Sequence, residues 1–257
     1  TAKKSTALIQ ANFSALNFRT FLYGMAGIYA VQAAIKGIMA PSIAFESQLA
    51  QVSTQLNKSA MTSMPLYRAQ LENMSKAYGQ SAESLTAAFY DILSSVIEPT
   101  KAIGLLDIAN KAAVAGITDV ATAESAIVTV MKSYGMEAEK AASISDVLFA
   151  SVLRGRITFE QLAGGMGVVT SSAAQAGLKF EELAALISVT TRAGLSPDMA
   201  LIAIANLLSK FVKSSDEAKT TAKSLGFELN TATLRAGGLA DVMRGLSKAT
   251  AEQVNIM

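Results

Sequence analysis

With no cysteine and no histidine among 257 residues, thiolate attack, imidazole acid–base work and the usual zinc ligand sets are closed to this chain. Carboxylates, lysines and glycine loops remain. Two adjacent acidic pairs, Glu181-Glu182 and Asp216-Glu217, have the composition of a general acid beside its base. Each stands where a helical pattern begins, and negative charge there offsets the positive helix end by a few tenths to about 1 kcal/mol. Neither pair is accompanied by a loop that would build a cleft around it. The run Ala163-Gly164-Gly165-Met166-Gly167 has the glycine density of a phosphate loop. It lacks the lysine and the preceding strand, so it reads as a place where helices pack closely. Lys210, Lys213, Lys219 and Lys223 fall at helical spacing on a mildly basic face, diluted by Asp216 and Glu217, which is the pattern of a solvated surface. The sequence therefore points to no catalytic residue, no cofactor-binding residue, no metal ligand and no cofactor.

The charge balance narrows the choice further. Twenty-two basic and 20 acidic residues are well mixed along the chain and leave a net charge of +2, which is no footprint for sequence-specific nucleic-acid binding. Hydrophobic residues make up 51% of the chain and the mean hydropathy is +0.36, more apolar than a solitary domain needs. Part of the surface is thus expected to meet other subunits, as in a homo-oligomer, or a membrane. The 11 methionines, among them Met61, Met64, Met74, Met131, Met136, Met166 and Met199, suit either core filling or an adaptable binding surface.

The elements that carry these residues have helical periodicity throughout. From Met136 to Phe211 four apolar helical patterns follow one another, parted by Gly135, Gly155, Gly177 and Gly194. Thr158-Phe159-Glu160-Gln161 fits a capping box, and Ser196-Pro197-Asp198 places a cap, a proline and a charge in the order a helix start favours. Leu183, Leu186, Ile187 and Thr190 share one helical face, and Leu201, Ile204, Leu208 and Phe211 another. Upstream, Ser42–Lys58 reads as helix, Pro65 restarts the chain, and Leu66–Tyr78 runs to Gly79. Ser81 caps a helix with the stripe Leu85, Ala88, Phe89, Ile92, Leu93 and Val96, which Pro99 is expected to end. A short helix then leads to a turn at Gly116. Turn glycines 116, 135, 155, 177 and 194 are spaced for one modest helix per interval, a repeat of shape without sequence identity. After Gly226, residues 227–235 look polar and extended, Gly237-Gly238 turns, and a last helix covers 239–254. The fold expected is all-α, an array of short antiparallel helices and hairpins joined by Gly-containing turns.

Residues 1–41 form an apolar N-terminal helical segment in this reading, and 42–257 a helical core module, taken as a fragment of a longer chain. The stretch Phe21–Ala40 is the most hydrophobic, yet Gln32 and Lys36 interrupt it. A membrane helix needs roughly 20 apolar residues and a central charge is costly, so a buried or oligomer-packed helix competes with a spanning one.

The order of these motifs resembles the core region of phage tail tape measure proteins, also called tail length determinators. The matching stretches are Ile43–Leu49, Ala77-Tyr78-Gly79-Gln80-Ser81, Ala115-Gly116-Ile117, Gly155–Leu162, Ala176–Ala185, Gly194-Leu195-Ser196 and Leu225-Gly226-Phe227. No one of them is specific, since Gly followed by a cap is how helices join; the ordered set from about residue 40 onward carries the resemblance. It implies a virion protein without enzymatic activity that lies in the tail tube lumen, templates tube length and is released on infection. It also implies contacts with tail tube protein, tail assembly chaperones and tail tip or baseplate proteins. The family core usually extends past the position of Met257. The alternative function is a membrane-inserting helical protein that forms a conduit for genome passage, with Phe21–Ala40 as the membrane contact.

Overall fold

The computed structural model describes residues 43–95 and 97–254. The N-terminal segment 1–41 with its Phe21–Ala40 stretch, and Val96, lie outside the described residues. Among the described residues the regular structure is helical throughout. Helix α1 covers 43–55, and α2 is the short Lys58–Met61. Then come α3, Met64–Tyr78, α4, Ala82–Ser94, α5, Pro99–Gly116, and α6, Val120–Tyr134. A 3₁₀ turn at Ala138–Lys140 leads into α7, Ala141–Arg154. Helices α8, Phe159–Ala176, α9, Phe180–Arg192, and α10, Pro197–Val212, come next. Last are α11, Asp216–Ser224, and α12, Thr231–Val254. The chain divides into two units between Ala50 and Gln51, inside α1. Helices α2 to α12 all belong to the second unit, which begins at Gln51.

Within that unit, alternate helices share a layer. Helix α8 packs most extensively on α6 and α10, and α6 also packs on α4, so α4, α6, α8 and α10 make a first layer. Helices α3, α5, α7 and α9 make the second in the same manner. Between α5 and α6 the chain bends by 119°. First-layer helices start at residues 82, 120, 159 and 197, at intervals of 38, 39 and 38. Hydrogen bonds between layer-mates keep nearly the same offset. The hydroxyls of Ser133 and Thr170 are 3.0 Å apart, and Ser188 donates to the Ser151 carbonyl at 3.3 Å, each pair 37 residues apart in sequence. This is a helical-repeat array with a two-helix unit, in which each unit buries its apolar face on its neighbours.

Local chemistry sets the starts of the first-layer helices. Ser81 accepts from Ser84 N–H and Asp119 from Thr122 N–H, and both halves of the Thr158–Gln161 capping box form. Ser196 occupies the same position before α10 but makes no side-chain cap; Pro197 at the first turn, with its preset φ, starts that helix instead. Pro99 acts likewise: α4 has already ended at Ser94, and the proline opens α5 rather than closing α4. Residues 231–237 are helical, not extended, because Asn230 caps α12 by accepting from Thr233 N–H. Gly238 (φ 67°) breaks that helix.

Two turns differ from expectation for steric reasons. Gly116 is the last residue of α5, and the left-handed residue is Ile117 (φ 51°). A Cβ on Gly116 would meet the Phe159 ring at 2.9 Å, so the glycine is used for close packing. The left-handed position, two before the cap, is held by Gly79 and Gly194 in sister turns; an isoleucine there is strained. Gly155 is extended (φ −95°), and its missing Cβ leaves room for the Ser151 carbonyl and the Thr191 hydroxyl.

The core lies between the layers. Phe89, Leu105, Leu106, Ile127, Leu148, Phe159, Leu162, Ile187, Ile204 and Leu208 are buried in it. Phe159 also meets Phe149 of α7 at 6.1 Å, and Tyr134 meets Phe180 edge-on at 5.8 Å. Among the described residues no single helix is long and apolar enough to cross a membrane; α5 and α6 reach the length and hydropathy only together, across their bend.

Candidate functional site

The two acidic pairs stand in first turns, Glu181-Glu182 in α9 and Asp216-Glu217 in α11, where they complement the helix dipole. They belong to different helices and are 34 or more residues apart in sequence. Asp216 is engaged by Lys219 at 3.3 Å. No group of carboxylates able to hold a metal occurs among the described residues. The glycine run lies inside α8. Gly165 is a contact point, since a Cβ there would sit 2.2 Å from Leu201 Cδ1 of α10. Gly164 and Gly167 have open space before them. Lys210, Lys213, Lys219 and Lys223 are all exposed.

The methionines divide between both uses. Met131 and Met166 are core residues, whereas Met61 and Met199 are exposed. Val168 and Ile202, 66% and 59% exposed, line a hollow on the outer side of the α8–α10 seam. This is one exposed apolar feature among the described residues.

Another is a groove of about 420 Å³ between α7 and α9. Val147, Ala150, Ala184, Ala185 and Val189 form its apolar wall, with Ser151 and Ser188 between them. Both serine hydroxyls are spent within the protein, Ser151 on the Val147 carbonyl at 2.9 Å and Ser188 on the Ala184 carbonyl at 2.9 Å. The floor thus behaves as apolar. Arg154 and Arg192, the last residues of α7 and α9, both line the groove, so the two helices run in the same direction. Glu181, at the start of α9, lines it from the opposite end. Neither arginine has a carboxylate within ion-pair distance among the described residues. Sequence reading missed this groove, although Arg154 and Arg192 are one two-helix unit apart and the signal was there in the repeat.

One buried ionisable group stands in the first layer. Glu124 of α6 is 4% exposed. Burial, the Asp91 carboxylate of α4 and, in the opposite sense, Lys132 together push its pKa up to about 7. Tyr134 is raised by burial and by Glu181 and Glu182. Neither side chain lines the α7–α9 groove.

Comparison with known proteins matches this sequence to a family. The model of the family described as phage-related minor tail protein matches residues 68–254, which takes in the array from α3 to α12. A probable tape measure protein of Clostridium phage phiCD119 is 30% identical over 134 residues, 51% of this chain but 14% of that protein. The chain thus spans about one seventh of the length of this relative. No solved structure matches. Since that family model covers residues 68–254, well over half of the chain, this chain belongs to the phage-related minor tail protein family.

Proposed function

We propose that residues 42–257 are a docking or initiation module of a tape measure protein that templates tail tube length, resides in the tube lumen and is released on infection. The module acts through protein contacts, with tail tube protein, tail assembly chaperones, tail tip or baseplate proteins, and other copies of itself, and performs no chemistry. The supporting observation is the zigzag of short helices, with first-layer starts recurring every 38 or 39 residues. A tape that measures by its own length gains about 1.5 Å per residue only while it runs as continuous helix. Folding helices back in pairs sacrifices that length and gains surface, which suits recognition rather than measurement. The measuring length then lies in other parts of the full protein.

Deleting residues 155–194 in frame, one two-helix unit, tests the reading in assembled particles. The expected result is loss or severe impairment of tail assembly. Normal particles with tails shorter by about 1.5 Å per deleted residue would instead make this region part of the ruler.

A further inference from the structure

The α7–α9 groove carries a pattern that general surface chemistry does not account for. Its wall is apolar, its two hydroxyls are already bonded inside the protein, and Val189 on its rim is 64% exposed. Its ends are charged with opposite sign, Arg154 and Arg192 at one and Glu181 at the other. Glu181 and Arg192 are eleven residues apart on α9, so the charged ends are separated by about 16 Å, roughly three turns of a helix laid alongside. The C-terminal ends of α7 and α9, where backbone carbonyls point outward, lie at the arginine end.

We propose that this groove docks one amphipathic helix of a partner protein, antiparallel to α7 and α9, with carboxylates in its first turn and a basic residue about three turns later. The occupant's apolar face lies on Val147, Ala150, Ala185 and Val189, as in other helix-in-groove contacts. Its acidic first turn meets Arg154 and Arg192, and its basic end meets Glu181. The antiparallel direction brings the positive end of the occupant's dipole to the negative ends of α7 and α9. Charge also argues against the nearest alternative within the chain. Residues 1–42 carry Lys3, Lys4, Arg19 and Lys36 and no acidic side chain, so they cannot satisfy the arginine pair. Helix α11 has acidic residues first and a lysine last, but only Ala222 of it is buried and it has no apolar face to lay down. Helix α9 also has acidic residues first and an arginine last, but its Phe180, Leu183 and Ile187 are buried in its own core and its Ala185 and Val189 already line the groove, so the occupant is assigned to a partner and not to a second copy.

The proposal rests on the chain being a protein-binding module, not on what that module does for tail length. Its test uses the whole 257-residue chain and two helix-favouring peptides of identical composition, each about four turns long. One has Glu-Glu in the first turn, a Leu/Ala face and Lys near the end; the other exchanges the Glu and Lys positions. Fluorescence anisotropy at low salt is expected to give the acid-first peptide at least about tenfold tighter binding, a difference set by the close charge pairs. Arg154→Glu with Arg192→Glu should reverse the order, and Ala185→Leu should abolish binding of both, with circular dichroism showing each variant still folded. Equal binding of both peptides, or no detectable binding of either, overturns the proposal. So does a preference that survives the arginine reversal. Self-association in sedimentation that Ala185→Leu abolishes assigns the groove to a second copy and overturns it as well. Each of these failures leaves the deletion experiment on particles unaffected, and a ruler-like result there leaves the peptide result standing.

Discussion

The α8–α10 seam and the α7–α9 groove are the same construction in different layers: two helices one repeat unit apart, with small residues on at least one of them. In the first, Gly165 faces Leu201, and the leucine fills part of what the glycine leaves free, so that a hollow of only about 240 Å³ remains on the outer side. In the second, small residues face small residues, Ala150 and Ser151 opposite Ala184, Ala185 and Ser188, and the space between stays open. A run of small side chains thus narrows a seam or opens a groove according to the size of what stands across from it. Arginines at the groove's end reinforce the difference, since their long charged side chains favour water over a dry contact.

The largest test of this contrast probes how dry the first layer is, through Glu124 between α6 and α4. Its folded pKa, about 7, lies above the ordinary 4.5. Below pH 4.5 the group is neutral in both states and costs nothing. As pH rises towards 7 the unfolded chain ionises while the folded one resists, so stability falls, and the loss is complete above pH 7. Glu124→Gln should therefore leave stability unchanged near pH ~4 and raise it by about 2 to 3 kcal/mol at pH ~8. Urea denaturation at both values checks this; an equal effect at both pH values would mean that the layer admits water at Glu124.

A smaller effect comes from closing the seam too far. Gly165→Val should destabilise by about 1 to 3 kcal/mol through overpacking against Leu201. Adding Leu201→Ala should recover part of that loss, a coupling that a thermal double-mutant cycle detects. The smallest effect belongs to the groove. Ala185→Leu adds a large side chain to an exposed helical position with open space beside it, and its stability should match the parent within about 0.5 kcal/mol by thermal unfolding. A large loss there would show that the groove is as tightly closed as the seam.

Much of this was legible from sequence, and the part that was not has a common cause. Helix identities and the caps at Ser81 and Thr158 follow from residues within four positions of one another, which is the range that periodicity and capping rules cover. The role of Gly116 depends on Phe159, that of Gly155 on Thr191, and the groove on Arg154 meeting Arg192. Those pairs are 36 to 43 residues apart, and only the layered stacking brings them together. Ser196 misled for a local reason: proline after it already supplies the helical φ, and no cap bond forms. The acidic pairs stand at helix starts, as their neighbours in sequence indicate, but the involvement of Glu181 in a groove could not be read from α9 alone.

Because consecutive helices alternate between the two layers, the array has a parity. Loss or gain of a single helix would exchange the layers for everything downstream, turning each buried stripe towards the wrong neighbours. Loss or gain of two consecutive helices preserves that assignment, and related chains should therefore differ in length by steps of about 38 residues in preference to steps of about half that. Grafting obeys the same rule: a segment cut between α7 and α8 joins without clash only to a donor that resumes with a first-layer helix.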